Sequence, residues 1–195
     1  MPEPARSAPL AGFAADGREV AGPQPVDLEV LPFRGKLMLR GGDDARQRAT
    51  PALGFLLPEL LRSAQGEGVR ALGLGPDAWL LILEPDSVAA TAARLREALA
   101  GTHHALVEVS DRLTGVAVDG ARSREVLNAG CPLDLHPGTF PAGRVVRTLL
   151  GKATVVVDRP AEDDRFELLV DGTFTPYAWQ FLENAAREHG YRVRA

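Results

Sequence analysis

The segment Cys131-Pro132-Leu133-Asp134-Leu135-His136-Pro137 gathers a thiol, a carboxylate and an imidazole within six residues. Residues of those types could serve as nucleophile, orienting acid and base. A working thiolate also needs an exposed, electropositive setting and a pocket for its substrate. The flanking prolines favour a different role, a small buried thiol at the start of a rigid, hydrogen-bonded turn. His103 and His104 could suggest a metal, but adjacent side chains on a strand or turn point apart. No cysteine or carboxylate follows them at ligand spacing, so they read as solvated surface histidines. Glu162-Asp163-Asp164, set between Pro160 and Phe166, is compact enough to hold a cation, yet it reads more simply as an exposed loop tip. Gly73-Leu74-Gly75 begins like a nucleotide-binding loop, but a third glycine is missing and Trp79 opens a strand where a helix should start. A tight hairpin turn over Gly75-Pro76-Asp77 accounts for it better. Ser110-Asp111 ends a strand, where such side chains cap turns or meet ligands, and capping is the expected role. These residues do not assemble into a convincing active site.

The elements that must position these groups follow from periodicity. Apolar and acidic residues alternate over residues 26–30, the pattern of a half-buried strand, and a second strand is expected over 37–40. Asp43 or Asp44 is placed to cap a short helix near 45–53, with Pro51 disturbing its end. Residues 70–83 read as a hairpin whose second strand is apolar throughout, as in a strand covered on both faces. Asp86 is expected to cap a helix reaching Leu99, with Val88, Ala92, Leu95 and Leu99 on one stripe and Gly101 beyond its end. The second half repeats this order. Strands are expected over 105–110 and 114–118, a short helix over 121–128, and strands over 145–150, 153–158 and 166–170. A last helix starts at Thr173 as N-cap, buries Phe174, Tyr177, Ala178, Phe181, Leu182 and Ala185, and stops at Gly190. Strands that arrive in hairpins favour an α+β fold with antiparallel sheets over a doubly wound parallel sheet.

Composition limits the function classes. Of 195 residues, 45% are apolar and 25% charged, enough for one compact unit or two closely joined small ones. The net charge is only -4, and the absence of any Lys/Arg run argues against nucleic acid as partner. Only Lys36 and Lys152 are lysines among 22 basic residues, a bias that reads as genomic base composition. One cysteine cannot form an internal disulfide, so a cytoplasmic location is expected. Residues 1–16 lack the pattern of a secretory signal. The longest apolar stretch, 55–61, is interrupted by Pro58 and Glu59 and falls short of a membrane span. Five prolines and no apolar period mark residues 1–25 as a mobile Pro/Ala-rich arm. The domain proper is expected over 26–195, in tentative halves 26–104 and 105–195.

Several motifs, taken in order, resemble the gamma-subunit family of heterotetrameric sarcosine oxidase. They are Leu72-Gly73-Leu74-Gly75-Pro76-Asp77-Ala78-Trp79-Leu80-Leu81, Val107-Glu108-Val109-Ser110-Asp111-Arg112, and Gly130-Cys131-Pro132-Leu133-Asp134-Leu135-His136-Pro137. Phe140-Pro141, Thr148-Leu149-Leu150-Gly151-Lys152-Ala153, and Phe174, Tyr177, Trp179 and Leu182 of the last helix continue the match, which spans residues 28–190. The resemblance implies a fold like the folate-binding domain of aminomethyltransferases, with two small antiparallel-sheet and helix subdomains wrapped together. It implies a non-catalytic assembly role beside alpha, beta and delta subunits, in a complex that oxidises sarcosine to glycine and passes the one-carbon unit to tetrahydrofolate. FAD, FMN, NAD, the folate and zinc would then belong to the other subunits, with no cofactor in this chain. Where the family usually has Arg-Ser-Phe before the last helix, Gly172-Thr173-Phe174 stands here. That departure leaves room for a sister complex acting on another N-methyl amino acid. The alternative is a folate-binding module, for which Asp77, Asp111 and Asp134 are the candidate carboxylates. A chain lacking its partners is also expected to expose apolar surface.

Overall fold

Alternation within each strand decides which face of which sheet a residue meets. In the computed structural model, which describes residue 10 and residues 17–161 and 163–194, twelve strands and five helices form among the described residues. The strands are β1 (Glu19–Val20), β2 (Val26–Val30), β3 (Gly35–Gly41), β4 (Ser63–Gly66), β5 (Val69–Gly75), β6 (Ala78–Leu83), β7 (His104–Glu108), β8 (Leu113–Asp119), β9 (Arg144–Leu150), β10 (Ala153–Arg159), β11 (Phe166–Asp171) and β12 (Tyr191–Arg194). The helices are α1 (Asp43–Arg48), α2 (Thr50–Leu53), α3 (Val88–Ala98), α4 (Ser123–Asn128) and α5 (Thr175–Ala186).

Two sheets result, of order β4-β5-β6-β3-β7 and β1-β12-β2-β8-β11-β10-β9. Odd positions of β3 and β6, such as Leu37, Leu39, Trp79 and Leu81, pack outward under α1, α2 and α3. In the larger sheet Val116, Val155, Phe166 and Leu168 pack outward under α4 and α5. The opposite faces meet each other through Leu72 and Leu80 on one side and Val145, Val156 and Leu169 on the other. The layers therefore run helix, sheet, sheet, helix, the α+β arrangement expected, and all strand pairs are antiparallel except β12 with β2.

Several local expectations are corrected. Within the expected arm, residues 1–9 and 11–16 lie outside the described residues, but Leu10 is fully buried and β1 pairs with β12. Backbone pairing, which composition cannot register, holds that segment: Gln24 and Val26 donate to the carbonyls of His189 and Gly190. β12 itself was not expected, because Arg192 and Arg194 mask its alternation with Tyr191 and Val193. Both arginines reach Asp27 on the parallel neighbour at 2.7 Å. The first helix breaks into α1 and α2 around Ala49, with Gly42 as N-cap, and Asp43 and Asp44 sit within the first turn instead of capping it. Asp86 lies in a 3-10 turn (Pro85–Ser87) and caps nothing. At the last helix the capping group is Asp171, which accepts the Thr173 N–H, so a further 3-10 turn (Gly172–Phe174) precedes α5. The buried stripe of α5 is Thr175, Ala178, Trp179, Leu182 and Ala186, and Phe174 and Tyr177 are exposed. The division at residue 104 is not followed by the sheets: β2 joins the strands of 113–194, and β7 joins those of 35–83.

Candidate functional site

Where the two inner faces part, a cleft of about 540 Å³ opens between the sheets. Its floor follows from the same alternation that builds the cores. Lys36 precedes the outward Leu37 on β3, Arg70 stands between the outward Val69 and Ala71 on β5, and Glu167 lies between the outward Phe166 and Leu168 on β11. Polar groups near the start of these three strands are thus turned into the inter-sheet space. There the guanidinium of Arg70 holds the Asp158 carboxylate by two bonds, of 2.7 and 2.9 Å, and donates to the Ser63 hydroxyl at 2.9 Å. Arg165 meets Glu29 at 2.8 Å and Glu167 at 3.6 Å, and Arg34 is paired with Glu84. Burial pushes the carboxyls of Asp158 and Glu167 above the ordinary range, against the opposing pull of their arginine neighbours.

Lys36 differs from these. It is 3% exposed, and its ammonium donates to the carbonyls of Arg34 at 2.9 Å and Ser110 at 3.4 Å. The Phe33 ring lies 5.3 Å from Nζ, a cation–π contact. Among the described residues it forms no ion pair with a carboxylate, although the charge of Asp111 acts on it at longer range. Burial lowers its pKa to about 8, with Asp111 pulling the other way.

The residues singled out from sequence are placed as follows. Cys131 is buried in the larger core. Asp134 accepts the backbone N–H of His136 at 3.0 Å and the Thr139 hydroxyl at 2.9 Å, while His136 Nδ1 accepts the Gly138 N–H at 3.2 Å. Those hydrogen bonds keep the Asp134 carboxyl below the usual range. Acid and imidazole thus both bond within the turn, which is hydrogen-bonded as expected. His104 Nδ1 bonds the Thr102 carbonyl at 2.9 Å, His103 is exposed, and among the described residues no cluster suited to a metal ion occurs. Glu162 lies outside the described residues; Asp164 pairs with Arg124, and the Asp163 carbonyl accepts from Arg159.

Gly73 is needed for close approach: a Cβ there would stand 2.2 Å from the Glu59 carbonyl oxygen, because the incoming chain bonds to Gly73 on both its N–H and its C=O. Both oxygens of Asp77 face Arg40 at 3.1 Å across the hairpin end. Asp111 follows β7 on the surface. Asp77, Asp111 and Asp134 therefore belong to three separate elements and none of them lines the cleft. Ser110, expected to cap a local turn, instead accepts the backbone N–H of Lys36 at 3.0 Å and donates to Glu108 at 2.8 Å, so it anchors the strand that carries Lys36. Sequence reasoning missed the cleft. Its available signal was a charged residue beside the first apolar positions of a strand, at Lys36, Arg70 and Glu167.

Apolar surface is also present. Phe174, Tyr177 and Leu149 are 45%, 37% and 46% exposed. The Tyr177 hydroxyl accepts the Lys152 N–H at 3.0 Å, which sets the start of α5 against the turn between β9 and β10, and Leu149 lies on the strand entering that turn. No helix is long and apolar enough to cross a membrane among the described residues.

Comparison with known proteins places this architecture. Residues 42–188 match the model of the "Sarcosine oxidase, gamma subunit family". The chain is 30% identical to the sarcosine oxidase subunit gamma of Corynebacterium sp. (strain U-96), over 94% of this chain and 91% of that one. Among solved structures, a chain of the heterotetrameric sarcosine oxidase from Corynebacterium sp. U-96 in complex with pyrrole 2-carboxylate superposes with a TM-score of 0.84 at 29% identity. The overlap covers 94% of this chain and 95% of that chain. Glycine cleavage system aminomethyltransferase T from Bartonella henselae shares the fold at 15% identity, with a TM-score of 0.64 over 84% of this chain and 46% of that chain.

Proposed function

The chain belongs to the sarcosine oxidase gamma subunit family, and from that premise we propose that it is the non-catalytic assembly subunit of a sarcosine-oxidase-type heterotetramer. The observation that carries this reading is the superposition, at a TM-score of 0.84, on nearly the whole of a chain that belongs to such a heterotetramer. The complex oxidises sarcosine to glycine and hands the one-carbon unit to tetrahydrofolate, in the cytoplasm. FAD, FMN, NAD and zinc are held by the alpha, beta and delta subunits, and this chain contributes surface and rigidity. The geometry supports such a division of labour in two ways. The one sequence segment with the residue types of a nucleophilic site is tied into its own turn, and large apolar side chains at the start of α5 lie open to solvent. Co-expression of a tagged copy with the three other subunits, followed by affinity purification, tests the proposal. Recovery of all four chains with bound flavin is expected; a chain that purifies alone contradicts it.

A further inference from the structure

We propose that the cleft between the two sheets binds a small organic carboxylate, its anionic group meeting Lys36 and its apolar body lying against Leu31, Pro32, Ile82 and Leu169. This goes beyond the assembly role and does not depend on it.

The charge inventory of the cleft carries the inference. Every guanidinium on its wall has a carboxylate of its own: Arg34 has Glu84, Arg70 has Asp158 and Arg165 has Glu29. Lys36 alone is a cleft cation without an ion pair to a described residue. It is also the most completely enclosed, at 3% exposure. A buried charge is costly unless paired. An ammonium carries three donors, and two are taken by the Arg34 and Ser110 carbonyls, the second at a long 3.4 Å. Beyond those carbonyls the ammonium has the Phe33 ring 5.3 Å away and no further described oxygen acceptor, beside an open cavity. Burial lowers the pKa of the amine, and the more distant charge of Asp111 offsets that only in part.

Residue choice points the same way. Twenty of the 22 basic residues are arginine, so a lysine kept at this position offers what a guanidinium does not, a compact point charge on a slim stem. The ligand class follows from the rest of the lining. Glu29, Glu84 and Glu167 would repel a multiply charged anion such as phosphate, whereas a single carboxylate matches the one cleft ammonium without an ion pair to a described residue. The apolar wall residues ask for a hydrocarbon or aromatic body, and the volume suits a molecule of modest size.

The scarcity of lysine makes the test clean. A full chain labelled with 13C-lysine shows two side-chain signals, from Lys36 and Lys152, assigned with Lys152→Arg. Benzoate is the probe, with benzylammonium and inorganic phosphate as controls. Expected are saturable shifts of the Lys36 signal with benzoate alone, a rise of its titration midpoint above about 8 when benzoate is bound, and affinity weakened at least about tenfold in Lys36→Met. A Lys36 signal and midpoint unmoved by saturating benzoate would overturn the proposal, and so would an equal response to phosphate or to benzylammonium. The wild-type titration decides the matter even if Lys36→Met does not fold.

Discussion

Arg70 and Asp158, 88 residues apart in the chain, face each other across the two sheets with Nε on Oδ2 at 2.7 Å and a terminal nitrogen on Oδ1 at 2.9 Å. A planar fork against a planar carboxylate fixes both distance and angle. The pair therefore acts as a strut that holds β5 and β10 together at the edge of the cleft. Its surroundings are dry enough that burial pushes the Asp158 carboxyl upward, and the guanidinium pulls it back.

Breaking such a buried pair from one side leaves a bare charge behind. Arg70→Met is expected to cost about 3–5 kcal/mol of unfolding free energy, and the double variant Arg70→Met with Asp158→Leu should recover most of that loss. Urea denaturation of the single and double variants measures it. A single variant that loses under about 1 kcal/mol would show that the pair is surface-like in its energetics.

Lys36 gives stability a pH dependence of defined sign. Its folded pKa is about 8 against an ordinary 10.5, so in that window the unfolded chain holds a proton that the folded chain has released. Stability contributed by this residue rises with pH across the window, and below about 8 the fold carries the full cost of the buried charge. Denaturation midpoints compared between wild type and Lys36→Met should converge as pH rises. A constant difference between the two would contradict the assignment.

The 3-10 turn that leads into α5 is capped by Asp171, whose side chain accepts the Thr173 N–H at 3.3 Å and the Thr173 hydroxyl at 3.0 Å. Asp171→Ala is expected to destabilise by about 1 kcal/mol and Thr173→Ala by less. The bonds from Thr173, with Arg112 adding to them, hold this carboxyl below the ordinary value. Its contribution is therefore complete above that ordinary value and disappears as pH falls through the lowered one. Equal losses for the two variants would move the capping role back to Thr173.

Phe174 and Leu149 test the link between exposed apolar surface and assembly. Phe174→Glu and Leu149→Glu should leave the stability of the isolated chain within about 0.5 kcal/mol, because neither side chain is buried. Recovery of the complex in co-purification should fall. Undiminished recovery with both variants would place the subunit contacts elsewhere on the surface.

Most strands were legible because their alternation is local: Val26 and Leu28 against Asp27 and Glu29 is a pattern that needs no partner to be read. The hairpin from β5 to β6 and the stripe of α3 were visible for the same reason. What escaped was set by neighbours. β1 and β12 exist because each supplies the other's hydrogen bonds, and the paired Arg192 and Arg194 look like surface charges until Asp27 is beside them. The last helix was found but with another face buried, because its period alone does not decide between the neighbouring stripes through Tyr177 and through Ala178 and Trp179. The cleft was invisible for a deeper reason. Lys36 and Arg70 stand on one sheet and Glu167 on the other, and only the stacking of the two sheets brings them to a common space.

Assembly is measured by native mass spectrometry of the chain co-expressed with the alpha, beta and delta subunits. A single flavin-containing species is expected, in which removal of one 20.8 kDa chain accounts for one subunit of four. A flavin-loaded complex of the other three subunits at full yield, with this chain free in solution, would contradict it.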